Sequence, residues 1–276
     1  MFFDLLDSHG HCCAHRGARS LAPENTLLAV RRALEVGAEA WETDVHMSSD
    51  GRLVIFHDDT LERTSDVAKR AEFAGREPWN LQDFTREELL SLDVGSHFAD
   101  SDPFETIARG ELSSDQIATT RNQPMPTLRQ ALEFTREHNL PMNLEIKDQG
   151  DHCSSDTIVN AVLDMIRQTD TRHLLLISSF RHEYVARIRQ LDPTMPTGAL
   201  TEEHPDDIPA LLRKLGAQAY HPDQERTSPE LVRELVQDGF CVNPWTVNDM
   251  DKAKSLSEAG ATAIITDFPQ RMQARA

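Results

Sequence analysis

Short apolar runs alternate with amphipathic stretches along most of the chain, and this alternation constrains the fold more than any other feature of the sequence. A strand-length apolar run followed by a helix-length amphipathic segment is the repeat of a βα unit, and a series of such units forms a parallel sheet covered by helices. The segments with strand character are 11–15, 40–46, 53–57, 142–147, 174–180, 197–200, 219–221, 241–247 and 263–266.

Helical segments lie between most of these strands. Segment 26–36 has apolar residues at Leu27, Val30 and Leu34 and stops at Gly37, and Asn25 is its predicted N-cap. The other helical segments are 127–138, 155–168, 182–191, 208–215, 229–237 and 249–259. Each has the length of an ordinary surface helix, so the alternation holds to the end of the chain.

The number of strands favours a (β/α)8 TIM barrel of α/β class. If segment 40–57 is one strand with a short partner, about eight parallel strands remain, and the 276 residues are close to the ~250 of such a barrel. A doubly wound parallel sheet is the alternative.

Residues 61–123 break the alternation, but they contain the apolar anchors Trp79, Phe84 and Phe98. A loop of this length without structure is improbable in a compact domain. We therefore expect a single domain over 1–276, with a small inserted subdomain at 61–123 after the second strand region.

The charge balance limits the classes of partner. There are 46 acidic and 28 basic side chains and the formal net charge is −18, which repels nucleic acid and anionic membranes at long range. We expect neither nucleic acid nor stable membrane association, and an anionic substrate would need a local cation.

No apolar window has the length of a membrane span and the first residues do not resemble a signal peptide. Cysteines without paired spacing favour a reducing compartment, so a cytoplasmic location is expected. The oligomeric state stays open.

Carboxylates lie two residues apart, or beside a lysine, in two of the predicted strands. Glu42 and Asp44 share one face of the second strand, and Glu145 and Lys147 share one face of the 142–147 strand. The carboxyl ends of barrel strands surround the active site in this fold, so these side chains are expected to converge. Carboxylate oxygens suit Mg²⁺ or Ca²⁺. Each pair taken alone also fits an ordinary ion pair.

Two histidines follow predicted strands at the same end of the barrel. His15 comes after the first strand and His57 after the 53–56 run. With an unperturbed pKa of about 6.5, imidazoles exchange protons readily at neutral pH. A histidine at a strand end is more often a hydrogen-bonded structural residue, and Trp245 is ordinarily a core residue. It is the coincidence of these residues at strand ends that favours an active site.

The motifs resemble, in order and spacing, those of the glycerophosphodiester phosphodiesterase family. They are the His-Arg-Gly of 15–17, Pro-Glu-Asn-Thr of 23–26, Glu-Thr-Asp of 42–44, His-Asp of 57–58 with 60–64, Leu-Glu-Ile-Lys of 144–147, Trp-Thr-Val-Asn of 245–248 and Ile-Ile-Thr-Asp of 264–267. The resemblance covers nearly the whole chain, and because no signal peptide is recognised the chain looks like a member of the cytosolic bacterial branch. It implies a TIM barrel with an insertion and metal-dependent hydrolysis of a small-molecule glycerophosphodiester to glycerol 3-phosphate and an alcohol.

The resemblance also implies the roles of individual residues. Glu42, Asp44 and Glu145 would hold a divalent cation, with Mg²⁺ the first choice and Ca²⁺ the alternative. His15 and His57 would be the acid and base pair, and Arg16, Lys147 and Trp245 would bind substrate. Which histidine is the acid, whether water or a substrate hydroxyl is the nucleophile, and which alcohol is released all stay open.

Two departures from the family pattern and two alternative functions accompany this assignment. Residues 65–73 lack an expected glycine, and the last helix looks shortened at Ala276. The alternating His9, His11, Cys13 and His15 suit a zinc site, and the first two match the HxH of amidohydrolase barrels. A zinc amidohydrolase-like barrel is therefore one alternative, and a non-catalytic phosphate-binding barrel is the other.

Overall fold

A ring of eight parallel strands forms the centre of the molecule in a computed structural model that describes residues 2–6 and 8–273. The strands are β1 His11–Ala14, β2 Ala40–Met47, β3 Leu53–Ile55, β4 Met142–Ile146, β5 Leu175–Ser179, β6 Thr197–Thr201, β7 Ala219–Pro222, β8 Cys241–Val242 and β9 Ala263–Thr266. Their order is β8-β7-β6-β5-β4-β2-β1-β9, and β3 pairs antiparallel with β2.

Backbone hydrogen bonds join the first and last strands of this order. The Thr262 N–H donates to the Val242 carbonyl at 2.8 Å, and the Ile265 N–H donates to the Pro244 carbonyl at 3.1 Å. These bonds bridge the gap between β8 and β9, so the sheet closes on itself. The predicted (β/α)8 barrel is confirmed, and the doubly wound alternative is wrong.

The described residues form one helix before the first strand, three short helices within residues 61–123, and helices that follow strands and pack on the outside of the ring. They are α1 Phe2–Leu5, α2 Leu27–Glu35, α3 Arg86–Leu90, α4 Ser96–Ser101, α5 Ser114–Thr119, α6 Leu128–His138, α7 Ser155–Thr169, α8 His182–Leu191, α9 Ile208–Leu215, α10 Pro229–Gln237, α11 Met250–Glu258 and α12 Pro269–Gln273. Helix α12 is described as far as Gln273, so the predicted shortening at Ala276 lies outside the described residues. None of the helices in this part of the chain has the length and apolar character needed to cross a membrane.

Two local predictions are wrong. The N-cap of α2 is Thr26, whose side chain accepts from the Ala29 N–H, because Asn25 turns with φ 57° and points its amide elsewhere. The strand predicted at 241–247 ends at Val242. The Asn243 and Trp245 N–H groups still donate to the Tyr220 and Pro222 carbonyls of β7, at 2.9 and 3.1 Å. Pro244 between them has no amide hydrogen to donate toward β9, which interrupts the regular ladder on that side.

Residues 61–123 contain three short 3₁₀ turns and the helices α3, α4 and α5. Most of their apolar side chains form one buried cluster with Val54 and Phe56, which flank the end of β3. Phe98 and Leu112 instead join the main apolar core of the barrel. The segment therefore packs directly on the barrel, and its description as an inserted subdomain stays a prediction.

The opposite end of the barrel is closed by the N-terminal helix. Phe2 and Leu6 are buried against Leu176 and Ala219, which face the barrel interior. Because this end is filled by apolar side chains, the carboxyl ends of the strands form the open mouth.

Candidate active site

One pocket of about 420 Å³ opens at the carboxyl ends of the strands. It is lined by His15, Arg16, Glu42, His57, Asn143, Glu145, Phe180, Leu200, Trp245, Thr246 and Ile265. Six of the eight residues predicted from the sequence are in this lining, and Asp44 and Lys147 contact residues of the lining directly. The structure thus brings the whole predicted set together.

Three buried carboxylates meet on one side of this pocket. The parallel register pairs Asp44 of β2 with Glu145 of β4, and the two-residue spacing places Glu42 on the same face as Asp44. Each offers an oxygen within 4.8 Å of the others. Burial, followed by the charges of Asp44 and Glu145, raises the pKa of Glu42 well above its ordinary value. Such repulsion is relieved by a bound cation.

Asp44 is held by donors on several sides. The Asn25 amide donates to it at 2.8 Å, and Arg16 Nε and Lys147 Nζ lie 3.5 and 3.7 Å from its oxygens. Burial alone would raise the pKa of Asp44, but His57, Lys147 and Arg16 hold it well below its ordinary value. Asn25 also accepts a hydrogen bond from Thr43, so it fixes the second strand's carboxyl end.

The two basic residues predicted to bind phosphate already contact carboxylates. Lys147 Nζ lies 2.8 Å from Glu145, and Arg16 donates its backbone N–H to Glu42 at 2.9 Å and a guanidinium N–H to Glu24 at 2.8 Å. Arg16 is placed by a sharp turn in which Gly17 has φ 77° and a Cβ would lie 2.6 Å from the Ala29 carbonyl carbon. Only glycine permits this close approach of the turn to α2.

His15 is paired with an aspartate at the far end of the chain. Its Nδ1 lies 2.7 Å from Asp267 Oδ1, and its Nε2 faces Glu42 at 3.9 Å. Burial, followed by the charge of Arg16, lowers the pKa of His15 to about 4. Burial opposes ionisation of Asp267, but its hydrogen bond with His15 lowers its pKa to about 2. The neutral imidazole therefore donates from Nδ1 and keeps a lone pair on Nε2.

His57 lies nearer to solvent and belongs to a second ionic network. Its Nδ1 is 2.6 Å from Asp58, which also accepts from Arg63 at 2.6 Å. Arg63 donates to Glu24 as well, at 2.6 Å. Glu24 is buried and accepts from Arg16, Arg19 and Arg63, which together hold its pKa well below the ordinary value despite burial.

The opposite wall of the pocket is apolar. Trp245 and Phe180 meet edge to face with ring centroids 5.3 Å apart, and Leu200 and Ile265 complete the wall. The Trp245 indole N–H donates to the His221 carbonyl at 2.8 Å, so this ring presents apolar surface rather than a donor. The pocket can therefore accept an anion on one side and a carbon skeleton on the other.

Comparison with known proteins gives the family. The model of the glycerophosphoryl diester phosphodiesterase family matches residues 15–271. The chain belongs to this family. Its class of enzyme, a phosphodiesterase acting on glycerophosphodiesters, is confirmed, and so is the resemblance noted in the sequence.

Relatives in this family align with the chain over most of its length. A glycerophosphodiester phosphodiesterase of Bacillus altitudinis is 30% identical over 263 residues, covering 94% of each chain. One from Caldanaerobacter subterraneus subsp. tengcongensis is 29% identical over 259 residues, again covering 94% of each. A phosphodiesterase from Oleispira antarctica, solved with the product sn-glycerol-3-phosphate, has a TM-score of 0.80 and 28% identity over 96% of this chain and 95% of its own.

The zinc alternative has no geometric support. His11 bonds Glu39 at 2.7 Å near the closed end of the barrel, and at about 3.3 Å per strand residue it lies roughly 13 Å from His15. Residues alternating along one strand share a face, but they occupy successive levels of the barrel. Within residues 2–6 and 8–273, Glu42, Asp44 and Glu145 are the one group of three side chains that could hold a metal.

Several residues of this site were missed by reasoning from the sequence alone. Asn25, Glu24, Asp58, Arg63 and Asp267 were recognised only as letters of motifs, without a role in holding the site. The partners of Asn25 and Asp267, and the Arg63 partner of Glu24, lie in other βα units, so no local pattern indicates them. The pairs of Asp58 with His57 and Arg63 are local, but no periodicity marks them. The signal that marked them was the motif match itself.

Proposed function

We propose that this member of the phosphodiesterase family hydrolyses glycerophosphodiesters to glycerol 3-phosphate and an alcohol with a divalent cation held by Glu42, Asp44 and Glu145. In this proposal His15 is the general base and His57 the general acid. The observation that carries the proposal is that both histidines line the pocket in which these carboxylates lie.

The ligand set suits a hard dication. All three carboxylates are buried. Burial, followed by the charge of Asp44, raises the pKa of Glu42 and Glu145. The contacts of Glu42 with the Arg16 N–H and of Glu145 with Lys147 only partly offset this effect. A bound dication would supply charge neutralisation for the phosphodiester and its developing charge. Mg²⁺ is the first choice, because it is commonly held by few carboxylates together with phosphate oxygens, and Ca²⁺ is the alternative.

His15 has the properties of the base. It is buried and neutral at neutral pH, and Asp267 holds its proton on Nδ1. The lone pair on Nε2 consequently faces the pocket near Glu42, where it can take a proton from the attacking hydroxyl. That hydroxyl belongs to water or to the substrate.

His57 is placed for the acid. About 29% of its side chain is exposed, and its Nδ1 lies 2.6 Å from Asp58 Oδ1, which fixes the orientation of the ring. A donor near the mouth can protonate the leaving alcohol as it departs toward solvent. Residues 61–123 begin beside this point through Arg63, so we propose that they cover the site and contact the leaving alcohol.

Arg16 and Lys147 are proposed to bind the phosphate, and Trp245 the glycerol carbons. The net charge of −18 does not prevent phosphate binding, because salt screens the effect of exposed charges beyond about 8–10 Å. The positive charges of Arg16 and Lys147 lie inside the site, within reach of the phosphate. The product held by the Oleispira antarctica relative supports the binding of a glycerol 3-phosphate unit in this pocket. We place the reaction in the cytoplasm.

The test is a panel of phosphodiesters assayed with and without chelator for release of glycerol 3-phosphate. Chelation should abolish turnover, and Mg²⁺ or Ca²⁺ should restore it. Glu42→Gln should weaken metal binding in a titration while the circular dichroism spectrum stays unchanged. Full activity in exhaustively chelated protein would remove the cation from the proposal, and tight binding without turnover would favour a phosphate-binding barrel.

A further inference from the structure

Three buried polar side chains on the inner face of the barrel carry atoms without a hydrogen-bond partner. They are Asn143 Oδ1 on β4, Ser178 Oγ on β5 and His221 Nδ1 on β7, in residues that are 4%, 0% and 0% exposed. Leaving such a group unsatisfied typically costs about 1–3 kcal/mol. Three polar atoms without hydrogen-bond partners in one part of the barrel interior point to a polar ligand that supplies the missing hydrogen bonds.

The chemistry of the His221 orphan follows from its neighbours. Asn243 Oδ1 accepts from the Ala263 backbone N–H at 3.1 Å, so its amide nitrogen is the atom 3.1 Å from His221 Nε2. Because that nitrogen donates, Nε2 must accept. Burial lowers the pKa of His221 to about 3, so the ring is neutral and its proton lies on Nδ1. His221 therefore offers an unused N–H donor.

These groups lie on the inner face of the barrel, where Asn143 lines the pocket and Ser178 and His221 lie behind its lining. Ser178 pairs in register with Gly198, where a Cβ would lie 2.5 Å from His221 Nε2, so the imidazole occupies the space above that glycine. His221 pairs in register with Leu200, and both Leu200 and Asn143 line the pocket. Asn143 Oδ1 can accept a hydrogen bond, the Ser178 hydroxyl can donate or accept one, and the His221 Nδ1–H can donate one.

We propose that Asn143, Ser178 and His221 form a hydroxyl-binding floor that recognises the glycerol part of the substrate. Asn143 Oδ1 accepts from a glycerol hydroxyl, and Ser178 and His221 complete the hydrogen bonds behind it, directly or through one water. The neighbouring wall of Leu200, Ile265 and Trp245 packs against the carbon skeleton. This inference rests on the proposed hydrolysis of glycerophosphodiesters and assigns the part of the pocket that selects glycerol.

The test compares kcat/KM for a glycerophosphodiester with that for the two analogues that each lack one glycerol hydroxyl. A site built to bond a hydroxyl rejects the analogue that lacks it, and we expect the native chain to prefer glycerol over one analogue by about 10- to 100-fold. In Asn143→Leu this preference should fall to within about 2-fold, chiefly through loss of the glycerol substrate. The metal affinity should be unchanged.

Ser178→Ala is the second variant, because it removes one hydroxyl from the interior without adding volume and should reduce the preference by about 3- to 10-fold. Asn160→Leu, an exposed asparagine on α7, is the matched control and should retain the native preference. The proposed hydroxyl-binding floor would be overturned if the preference for the glycerol substrate persisted in both test variants. It would also be overturned if the native protein hydrolysed all three substrates equally. If the glycerophosphodiester released no glycerol 3-phosphate and neither analogue released its own phosphomonoester, the proposed function would be overturned instead.

Discussion

The substitution Asp267→Asn should abolish the function of His15 as the general base without altering the shape of the site. Asn248 Oδ1 accepts from the Asp267 backbone N–H at 3.0 Å, so the Asn248 amide nitrogen faces Asp267 Oδ2 at 2.8 Å. An asparagine at 267 must therefore turn its oxygen toward Asn248 and its NH₂ toward His15. That NH₂ would donate to His15 Nδ1, which moves the imidazole proton to Nε2 and removes the lone pair that faces the pocket.

The size of the effect follows from the hydrogen bonds involved. Restoring the reactive tautomer would set two N–H groups against each other in place of the 2.7 Å bond between His15 and Asp267. With about 1–3 kcal/mol for each of the two unsatisfied buried groups, the penalty is roughly 2–6 kcal/mol. At about 1.4 kcal/mol per tenfold change in rate, kcat should fall by about 10²- to 10⁴-fold.

Steady-state release of glycerol 3-phosphate measures this loss, and calorimetric titration of Mg²⁺ shows whether the metal site is intact. Asp267→Ala is the matched variant, because it leaves His15 free to adopt either tautomer and should lose less activity than Asp267→Asn. Near-normal turnover in Asp267→Asn would refute the tautomer argument. Equal loss in both variants would mean that Asp267 only positions the ring.

Three further predictions follow from the same geometry. His15→Ala and His57→Ala should each lower kcat by about 10²- to 10⁴-fold, and the double variant should lose far less than the product, as rate measurements will show. Because the pKa of His15 is about 4 in the folded chain against an ordinary 6.5, the unfolded chain binds a proton there that the folded chain does not. The contribution of His15 to the free energy of unfolding should therefore fall by about 3 kcal/mol as the pH drops from about 6.5 to 4. Urea titrations of His15→Gln should show a pH dependence smaller by that amount, because His46 and His221 still contribute. Exchange of residues 61–123 for a relative's segment should change the ranking of headgroups while the metal affinity measured by calorimetry stays constant, and an unchanged ranking would make this segment structural only.

Local patterns in the sequence were sufficient to predict the barrel and the composition of its mouth. The alternation of apolar runs with amphipathic segments reflects periods of two and 3.6 residues, which depend only on neighbours along the chain. The spacing of Glu42 and Asp44 on one strand set their common face in the same way. The roles of the eight predicted site residues came from the family resemblance rather than from these patterns, and six of the eight line one pocket.

Only the tertiary structure decided which side chains pair inside that mouth. Asp267 meets His15 across 252 positions of sequence because β9 closes the ring beside β1. Asparagine is a residue type typical of helix N-caps, yet the Asn25 side-chain amide donates to Asp44 on β2. The polar floor around Asn143 arises from register between strands that are far apart in the chain. Such partners depend on barrel closure and strand register, because these bring residues of separate βα units within hydrogen-bond distance, and no periodicity along the chain encodes that distance.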